Sequence, residues 1–135
     1  MKKQRIVILA IVLVAIAAIA LAVNGVLTRV SANLEALKDM EIAKIDLNTI
    51  QDGVYSGSYS AFPVSVEVNV TVKAHRITSI EIMRHDNGQG APAEAIPGKV
   101  VEAQSLQVDS VSGATYSSRV ILKAIEGALL SANPA

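Results

Sequence analysis

The sequence predicts an α+β fold, in which an N-terminal transmembrane helix is followed by a small antiparallel β-sheet packed with a C-terminal helix. Three patterns support this prediction: an uncharged apolar run over 6–28, strict apolar and polar alternation over 64–72 with a second strand pattern after it, and helical apolar spacing from 117 onward. A chain of 135 residues has room for a membrane segment and one small domain.

The apolar run from Ile6 to Thr28 is long enough to cross a hydrocarbon core roughly 30 Å thick at about 1.5 Å per helical residue. Three basic residues precede it, whereas three basic and four acidic residues lie between Arg29 and Asp46. This asymmetry predicts a single-pass protein of the cell membrane, with its N-terminus in the cytoplasm and its C-terminal domain outside. A cleaved signal peptide is the alternative, because Ala20-Leu-Ala22 is an acceptable cleavage site. The apolar run continues past that site, which favours an uncleaved anchor.

Charge and cysteine content exclude several classes of function. Nine basic and twelve acidic residues follow Ile6, a net charge of about −3, which argues against nucleic acid as a partner. The chain has no cysteine, so it forms no disulfide and offers no thiolate to an iron–sulfur cluster or a c-type haem. The two histidines are too few for a metal cluster, and no catalytic nucleophile–base pair is recognisable.

Three regions follow from the patterns along the chain. Residues 1–28 are the membrane anchor. Residues 29–51 form a helical stalk or linker, because apolar residues between Val30 and Lys44 recur near helical spacing among alternating charges. Turn-forming residues around Asp46–Gly53 mark the boundary, and residues 52–131 form the exported domain.

The domain opens with strand patterns. The segment "DGVYSGSYS" predicts a short strand whose glycines permit close backbone approaches. The segment "VSVEVNVTV" places five valines on one face of a half-buried strand. A turn over 73–76 leads to a return strand, with Thr78, Ile80 and Ile82 on one face, so the two strands form a β-hairpin.

The segment "RHDNGQGAPAEAIPGK" is rich in glycine and proline, and we expect a functional loop there. His85 within it is a candidate flavin or substrate contact, a candidate ligand, or a polar group that merely ends the strand. A short helix from Val100 and a brief extended segment over 106–109 follow.

The stretch "DSVSGATYSS" over 109–118 combines little side-chain bulk with many hydroxyl groups, directly before the final amphipathic helix. Ser117 or Ser118 is the expected N-cap of that helix. Glycine and alanine let backbone amides approach a ligand, and the free N–H groups of a first helical turn favour an anion such as phosphate. Thr115 presents a hydroxyl at the same place. On spacing alone the signal is weak, because small hydroxyl residues before a helix are more often a plain helix cap.

From Asp52 to Leu130 the chain resembles the FMN-binding domain family, which includes the C subunit of the sodium-translocating NADH:quinone reductase and the G subunit of the related Rnf complexes. The matching segments are "DGVYSGSY", the valine-rich strand with "ITSIEI", "IPGKVVEAQSLQVDSVSGATYSS" and the closing helix. The family motif Asp-x-x-Ser-Gly-Ala-Thr is complete here from Asp109 to Thr115.

The resemblance implies that FMN is the cofactor and that the Thr115 hydroxyl carries it through a phosphoester. It also implies an exported, magnesium-requiring FAD:protein FMN transferase as a partner. The expected cofactor-binding residues are Asp109, Ser112, Gly113, Ala114, Thr115, Tyr116 and Ser117, with His85 as a further candidate; no catalytic residue and no metal ligand is expected.

The role implied is that of a free-standing, membrane-anchored flavin carrier that exchanges electrons with membrane electron-transfer proteins, rather than a complete enzyme. The chain is far shorter than the respiratory-complex subunits, so membership of such a complex does not follow. The turn at 73–76 also lacks the glycine common in the family. Two alternatives remain: a domain that binds FMN noncovalently, and an exported structural or interaction module without a cofactor.

Overall fold

A computed structural model describes residues 1–86 and 91–132. It confirms the α+β fold: a long apolar helix, a three-stranded antiparallel sheet in the order β1-β2-β3, and a C-terminal helix packed on that sheet. The elements are α1 (Lys2–Asp39), β1 (Gly53–Ala61), β2 (Val64–Lys73), β3 (Arg76–Asp86), α2 (Ile96–Ala103) and α3 (Thr115–Ser131), with short 3₁₀ helices at Leu47–Thr49 and Ala91–Ala95.

Helix α1 is long and apolar enough to cross a membrane, and its most apolar window has no residue buried inside the protein. The same helix continues beyond the apolar run to Asp39, where the predicted stalk is therefore helical. The prediction of helix further along the stalk is wrong, because Met40 is extended and the chain stays non-helical until the 3₁₀ helix at Leu47. Contacts with α3 replace helical hydrogen bonds there: the Arg119 guanidinium donates to the carbonyl oxygens of Leu37 and Met40.

The rest of the linker also lies against the domain. Asn33 Nδ2 donates to the carbonyl oxygen of Phe62 at 3.1 Å, and the backbone N–H of Ala43 donates to Glu126 Oε2 at 2.8 Å. Leu37 and Ile50 are buried in the same core as the sheet. The linker is thus fixed to the domain by hydrogen bonds and by apolar burial.

Strand β2 follows its sequence pattern closely. The valines at 64, 66, 68, 70 and 72 are all buried, while Glu67 is exposed. The β2–β3 turn forms without glycine, since Ala74 and His75 both adopt positive φ, at 53° and 59°. Such a pair of left-handed residues is typical of the two-residue turns that join twisted strands. Asp52 Oδ1 supports the turn by accepting the N–H of Ala74 at 2.8 Å.

The predicted face of the return strand is wrong at Thr78. Two register shifts interrupt the β2–β3 pairing, one of them between Thr71 and Val72, where Thr71 pairs with Ser79 but Val72 pairs with Ile77. Thr78 is the extra residue of this bulge and is exposed, whereas Ile77 is buried. A bulge adds one residue to one strand, so it reverses the alternation of faces beyond it.

The expectation of an irregular loop after β3 is wrong over most of its length. Strand β3 continues to Asp86, a 3₁₀ helix spans Ala91–Ala95, and α2 begins at Ile96 rather than at Val100. Pro97 lies in the first turn of α2, where a missing N–H costs nothing because those amides have no helical partner. The glycine-rich part of the expected loop, residues 87–90, lies outside the described residues.

Helix α3 covers the valine face of the sheet. The residues expected on its inner side are all buried: Val120, Ile121, Ala124, Ile125, Ala128 and Leu129. The close backbone approach expected of β1 occurs at Gly57, where an added Cβ would lie 2.1 Å from the carbonyl oxygen of Ala124. Glycine is therefore required at this crossing of strand and helix.

Candidate functional site

The centre of the predicted site is a tight turn over 111–114. The N–H of Ala114 donates to the carbonyl oxygen of Val111 at 2.9 Å, which closes the turn. Gly113 adopts φ of 79°, a left-handed conformation that favours glycine. A Cβ at Gly113 would meet nothing within 4 Å, so the space above the turn is open.

Ser118 connects this turn to α3. Its hydroxyl donates to the carbonyl oxygen of Ala114 at 2.7 Å and accepts the N–H of Val111 at 3.0 Å, and the side chain is fully buried. The prediction that Ser117 or Ser118 is the N-cap is wrong, since α3 begins at Thr115 and Ala114 is the N-cap. Ser118 bonds backward to the preceding turn, and this tertiary role is not distinguishable from capping in the sequence.

Thr115 is the first residue of α3, and it is exposed. Ala114 makes no side-chain capping bond, so the N-cap residue leaves the N–H groups of the first helical turn without the partner that a capping serine would supply. Ser112 and Gly113 are exposed beside Thr115, whereas Ala114 and Ser117 are buried. Of the three residues with a hydroxyl group between Asp109 and Thr115, Ser112 and Thr115 are therefore exposed and Ser110 is half-buried.

Tyr116 anchors the start of α3 to the sheet. Its hydroxyl contacts the carbonyl oxygens of Phe62 at 2.5 Å and Ala61 at 3.1 Å, in the turn between β1 and β2. Burial raises the pKa of the Tyr116 phenol above 10.0, the nearby Tyr59 raises it further, and a hydrogen bond with the Asn33 side chain opposes the rise. The hydroxyl of this predicted cofactor-binding residue thus serves the fold.

Asp109 borders an open groove of about 640 Å³ between the linker and the segment before the turn. The volume lies within the range of small-molecule sites, roughly 300 to 1,000 Å³. Met40, Ile42 and Val108 contribute apolar surface, and Arg119 contributes a positive charge. Asp109 itself is exposed.

Arg119 and the linker are absent from the residues expected at the site from sequence. Arg119 is four residues after Thr115, and residues four apart share one face of a helix. That spacing is a signal present in the sequence. The contribution of residues 38–44 to the groove has no such signal in the sequence, because it depends on the packing of the linker against α3.

His85 lies on the inner side of β3, opposite Val66, and its side chain is 2 % exposed. Its Nδ1 is 3.0 Å from Glu94 Oε1 in the 3₁₀ helix before α2. This contact joins β3 to the next element, which fits the interpretation of His85 as a polar group at a strand end; a contact with flavin stays a prediction. Within residues 1–86 and 91–132, no group of three or more His, Cys, Asp or Glu side chains is arranged to hold a metal ion.

Comparisons with known proteins identify the family of this chain. A family model described as FMN-binding domain matches residues 61–130, a range that contains β2, β3, the turn over 111–114 and nearly all of α3. An uncharacterized protein of Treponema pallidum (strain Nichols) is 32 % identical over 88 residues, which are 63 % of this chain and 24 % of that protein. The NADH:acrylate oxidoreductase of Vibrio harveyi is 31 % identical over 107 residues, 74 % of this chain and 10 % of that protein. The chain thus spans a quarter or less of the length of these relatives.

Proposed function

Since this chain belongs to the FMN-binding domain family, with FMN as its cofactor, we propose that it is a membrane-anchored, extracytoplasmic flavoprotein. Its FMN is attached to Thr115 through a phosphoester, and its role is to relay electrons. The observation that carries the proposal is the exposed Thr115 hydroxyl at the end of the complete motif and at the start of a helix.

The residues at this site fit a flavin phosphate. The open space above Gly113 leaves room for the phosphate oxygens, and the first-turn amides of α3 together with the helix dipole favour their negative charge. Arg119 adds a positive charge one helical turn from Thr115. The groove beside Asp109 and Arg119 offers partly apolar surface to a ring system attached nearby.

The attachment step balances as a phosphoryl transfer from FAD. The Thr115 oxygen attacks the phosphorus on the FMN side of the FAD pyrophosphate, the P–O bond to the AMP moiety breaks, and AMP leaves. The hydroxyl proton is released, and nothing is oxidised or reduced. An FAD:protein FMN transferase catalyses this step, and the thin turn at 111–114 gives that enzyme access to Thr115.

Covalent attachment suits a carrier outside the cytoplasm. A dissociated flavin diffuses away there, whereas a phosphoester retains it without high binding affinity. FMN when bound supplies the redox chemistry, and this chain supplies attachment, orientation and the charge around the cofactor. The redox partners are membrane electron-transfer proteins, because the anchor restricts encounters to the membrane surface.

The attachment is tested with the full chain coexpressed with the transferase. Thr115→Ala removes the acceptor oxygen, so we expect loss of in-gel flavin fluorescence and of the FMN mass on the intact chain. Ser112→Ala is the matched control, because Ser112 is the other exposed hydroxyl of the motif, and it keeps both signals. Fragmentation of the wild-type protein places the added mass on Thr115. Asp109→Ala lowers the yield of modification, since the transferase recognises the motif.

Fluorescence that persists undiminished in Thr115→Ala, or an added mass on Ser112, contradicts the assignment. The noncovalent alternative gives a different result: visible flavin absorbance in the native protein that is lost completely on denaturation and filtration. A colourless protein after coexpression, with no added mass, contradicts both forms of FMN binding.

A further inference from the structure

The turn between β1 and β2 exposes an aromatic side chain in a segment that carries no charge, and the nearest charged residue of the sheet is Asp86, which lies opposite Ser65. Phe62 is 59 % exposed, and no charged residue occurs from Ser58 to Val66. The hydroxyls of Ser60 and Ser65 pair with each other across the strands at 2.8 Å. An exposed apolar side chain in a segment that has hydroxyl groups but no charge is suited to the headgroup region of a bilayer.

The position of this turn relative to the membrane follows from α1. The helix runs without interruption from the apolar segment to Asn33, whose Nδ2 donates to the Phe62 carbonyl oxygen at 3.1 Å. Asn33 is five residues beyond Thr28, a rise of about 7.5 Å along the helix axis. Each headgroup region is about 5 to 8 Å thick. The Phe62 carbonyl is therefore at headgroup depth when 6–28 span the bilayer.

The contacts made by the linker also give the orientation of the whole domain. Going outward from Asn33, the linker meets Arg119 at Leu37, then Glu126 at Ala43. At Ile50 it reaches the β2–β3 turn, where its carbonyl oxygen is 3.1 Å from His75 Nδ1. The outward direction of the linker thus follows α3 from its N-terminus to its C-terminus. The first turn of α3 and the β1–β2 turn share the end of the domain nearest α1.

We propose that the Phe62 turn contacts the headgroup region of the lipid bilayer, and that the domain stands on the membrane with the Thr115 end toward it. The Tyr116 hydroxyl donates to the Phe62 carbonyl oxygen at 2.5 Å. Thr115, the proposed flavin acceptor, directly precedes Tyr116 and therefore lies near the lipid-facing turn. The inference rests on the membrane anchor but not on flavin attachment. Together with the proposed attachment of FMN to Thr115, this orientation places electron exchange close to the bilayer surface rather than at the outer end of the domain.

The absence of tryptophan from the chain allows a single-reporter test. Phe62→Trp is made in the full chain, expressed without the transferase so that no flavin absorbs the emission, and reconstituted into phosphatidylcholine vesicles. We expect emission at shorter wavelength than in a tryptophan control in water, and strong quenching by lipids that carry a quencher on the upper acyl chain.

Val54→Trp is the matched control. Val54 is 63 % exposed, close to the value for Phe62, but it is eight residues away along the chain, about 26 Å in an extended strand. It lies beside the outer end of the sheet, opposite Thr71. We expect Trp at 54 to show solvent-exposed emission and at most weak quenching by the same lipids.

Flotation of the vesicles tests membrane insertion separately from the orientation of the domain. Protein that floats with the vesicles but shows equal, weak quenching at both positions overturns the proposed orientation. Protein that does not float with the vesicles overturns the anchor and the orientation together. Quenching confined to position 62 supports the proposal.

Discussion

At the residue scale, Tyr116 joins three parts of the molecule. Its hydroxyl donates to the carbonyl oxygen of Phe62 in the β1–β2 turn, and Asn33 of α1 donates to the same oxygen. The backbone of Tyr116 belongs to the first turn of α3. The residue that follows the proposed flavin acceptor is therefore held in place by the sheet and by α1. A fixed Tyr116 restricts where the adjacent Thr115 is presented.

The raised pKa of Tyr116 predicts a loss of stability in alkali. The folded state favours the neutral phenol. The contribution of Tyr116 to the free energy of unfolding is therefore fully present below about pH 10, and it is lost as the pH rises through the higher pKa of the folded protein. Tyrosinate absorbance of the full chain, compared with Tyr116→Phe, isolates the titration of this residue. We expect a midpoint above 10.0, and a midpoint at or below that value contradicts the assigned burial.

At the scale of elements, the packing of α3 on β1 depends on one position without a side chain. A Cβ at Gly57 would lie 2.1 Å from the Ala124 carbonyl oxygen and 2.5 Å from the Ala128 nitrogen. Both atoms belong to helix backbone, which cannot move aside without moving the helix. The valine face of β2 lies under the same helix, so a displaced α3 uncovers the core.

Gly57→Ala is expected to lower the free energy of unfolding by about 3 kcal/mol, the upper part of the usual range for overpacking. Gly127→Ala is the control on the same helix, because Gly127 is exposed and an added Cβ meets nothing within 4 Å. That change favours the helix by up to about 1 kcal/mol. Denaturant unfolding of the full chain in detergent measures both, and equal stability of the two variants contradicts the close approach.

At the scale of the whole molecule, the linker makes helix α1 and the domain one packed unit. Leu37 and Ile50 bring linker side chains into the domain core. Glu126 accepts the backbone N–H of Ala43 through Oε2 at 2.8 Å, while Lys123 Nζ donates to Glu126 Oε1 at 2.6 Å. The domain is therefore not expected to swing freely on a flexible tether. Its orientation relative to α1 follows from these contacts.

The proposed topology predicts that protease added to intact cells, after any outer membrane is opened, removes the C-terminal domain. The reason is the charge asymmetry around the apolar segment, since basic residues such as Lys2, Lys3 and Arg5 favour the cytoplasmic side of a membrane. Immunoblotting against the domain follows its loss, and a cytoplasmic protein that stays intact shows that the inner membrane is closed. Protection of the domain until detergent is added contradicts an extracytoplasmic location.

Much of this protein was predictable from local patterns in its sequence. The apolar run, the five alternating valines and the apolar face of α3 are periodicities within single segments, and each appears in the structure where it was expected. The family was recognisable for the same reason, because the motif from Asp109 to Thr115 is contiguous. Element type and motif identity need no knowledge of which segments meet.

The tertiary structure decided the features that depend on partners distant in sequence. Helix α1 ends before Met40, whose carbonyl oxygen accepts a hydrogen bond from Arg119. Thr78 is the extra residue of a bulge in the pairing with β2. Ser118 accepts the N–H of Val111 in the preceding turn instead of capping the helix. The docking of the linker on α3, and with it the groove beside Asp109, belongs to the same class. Hydrogen bonds and burial between remote segments outweigh local propensity at these positions. A pattern within one segment of the sequence does not predict such contacts.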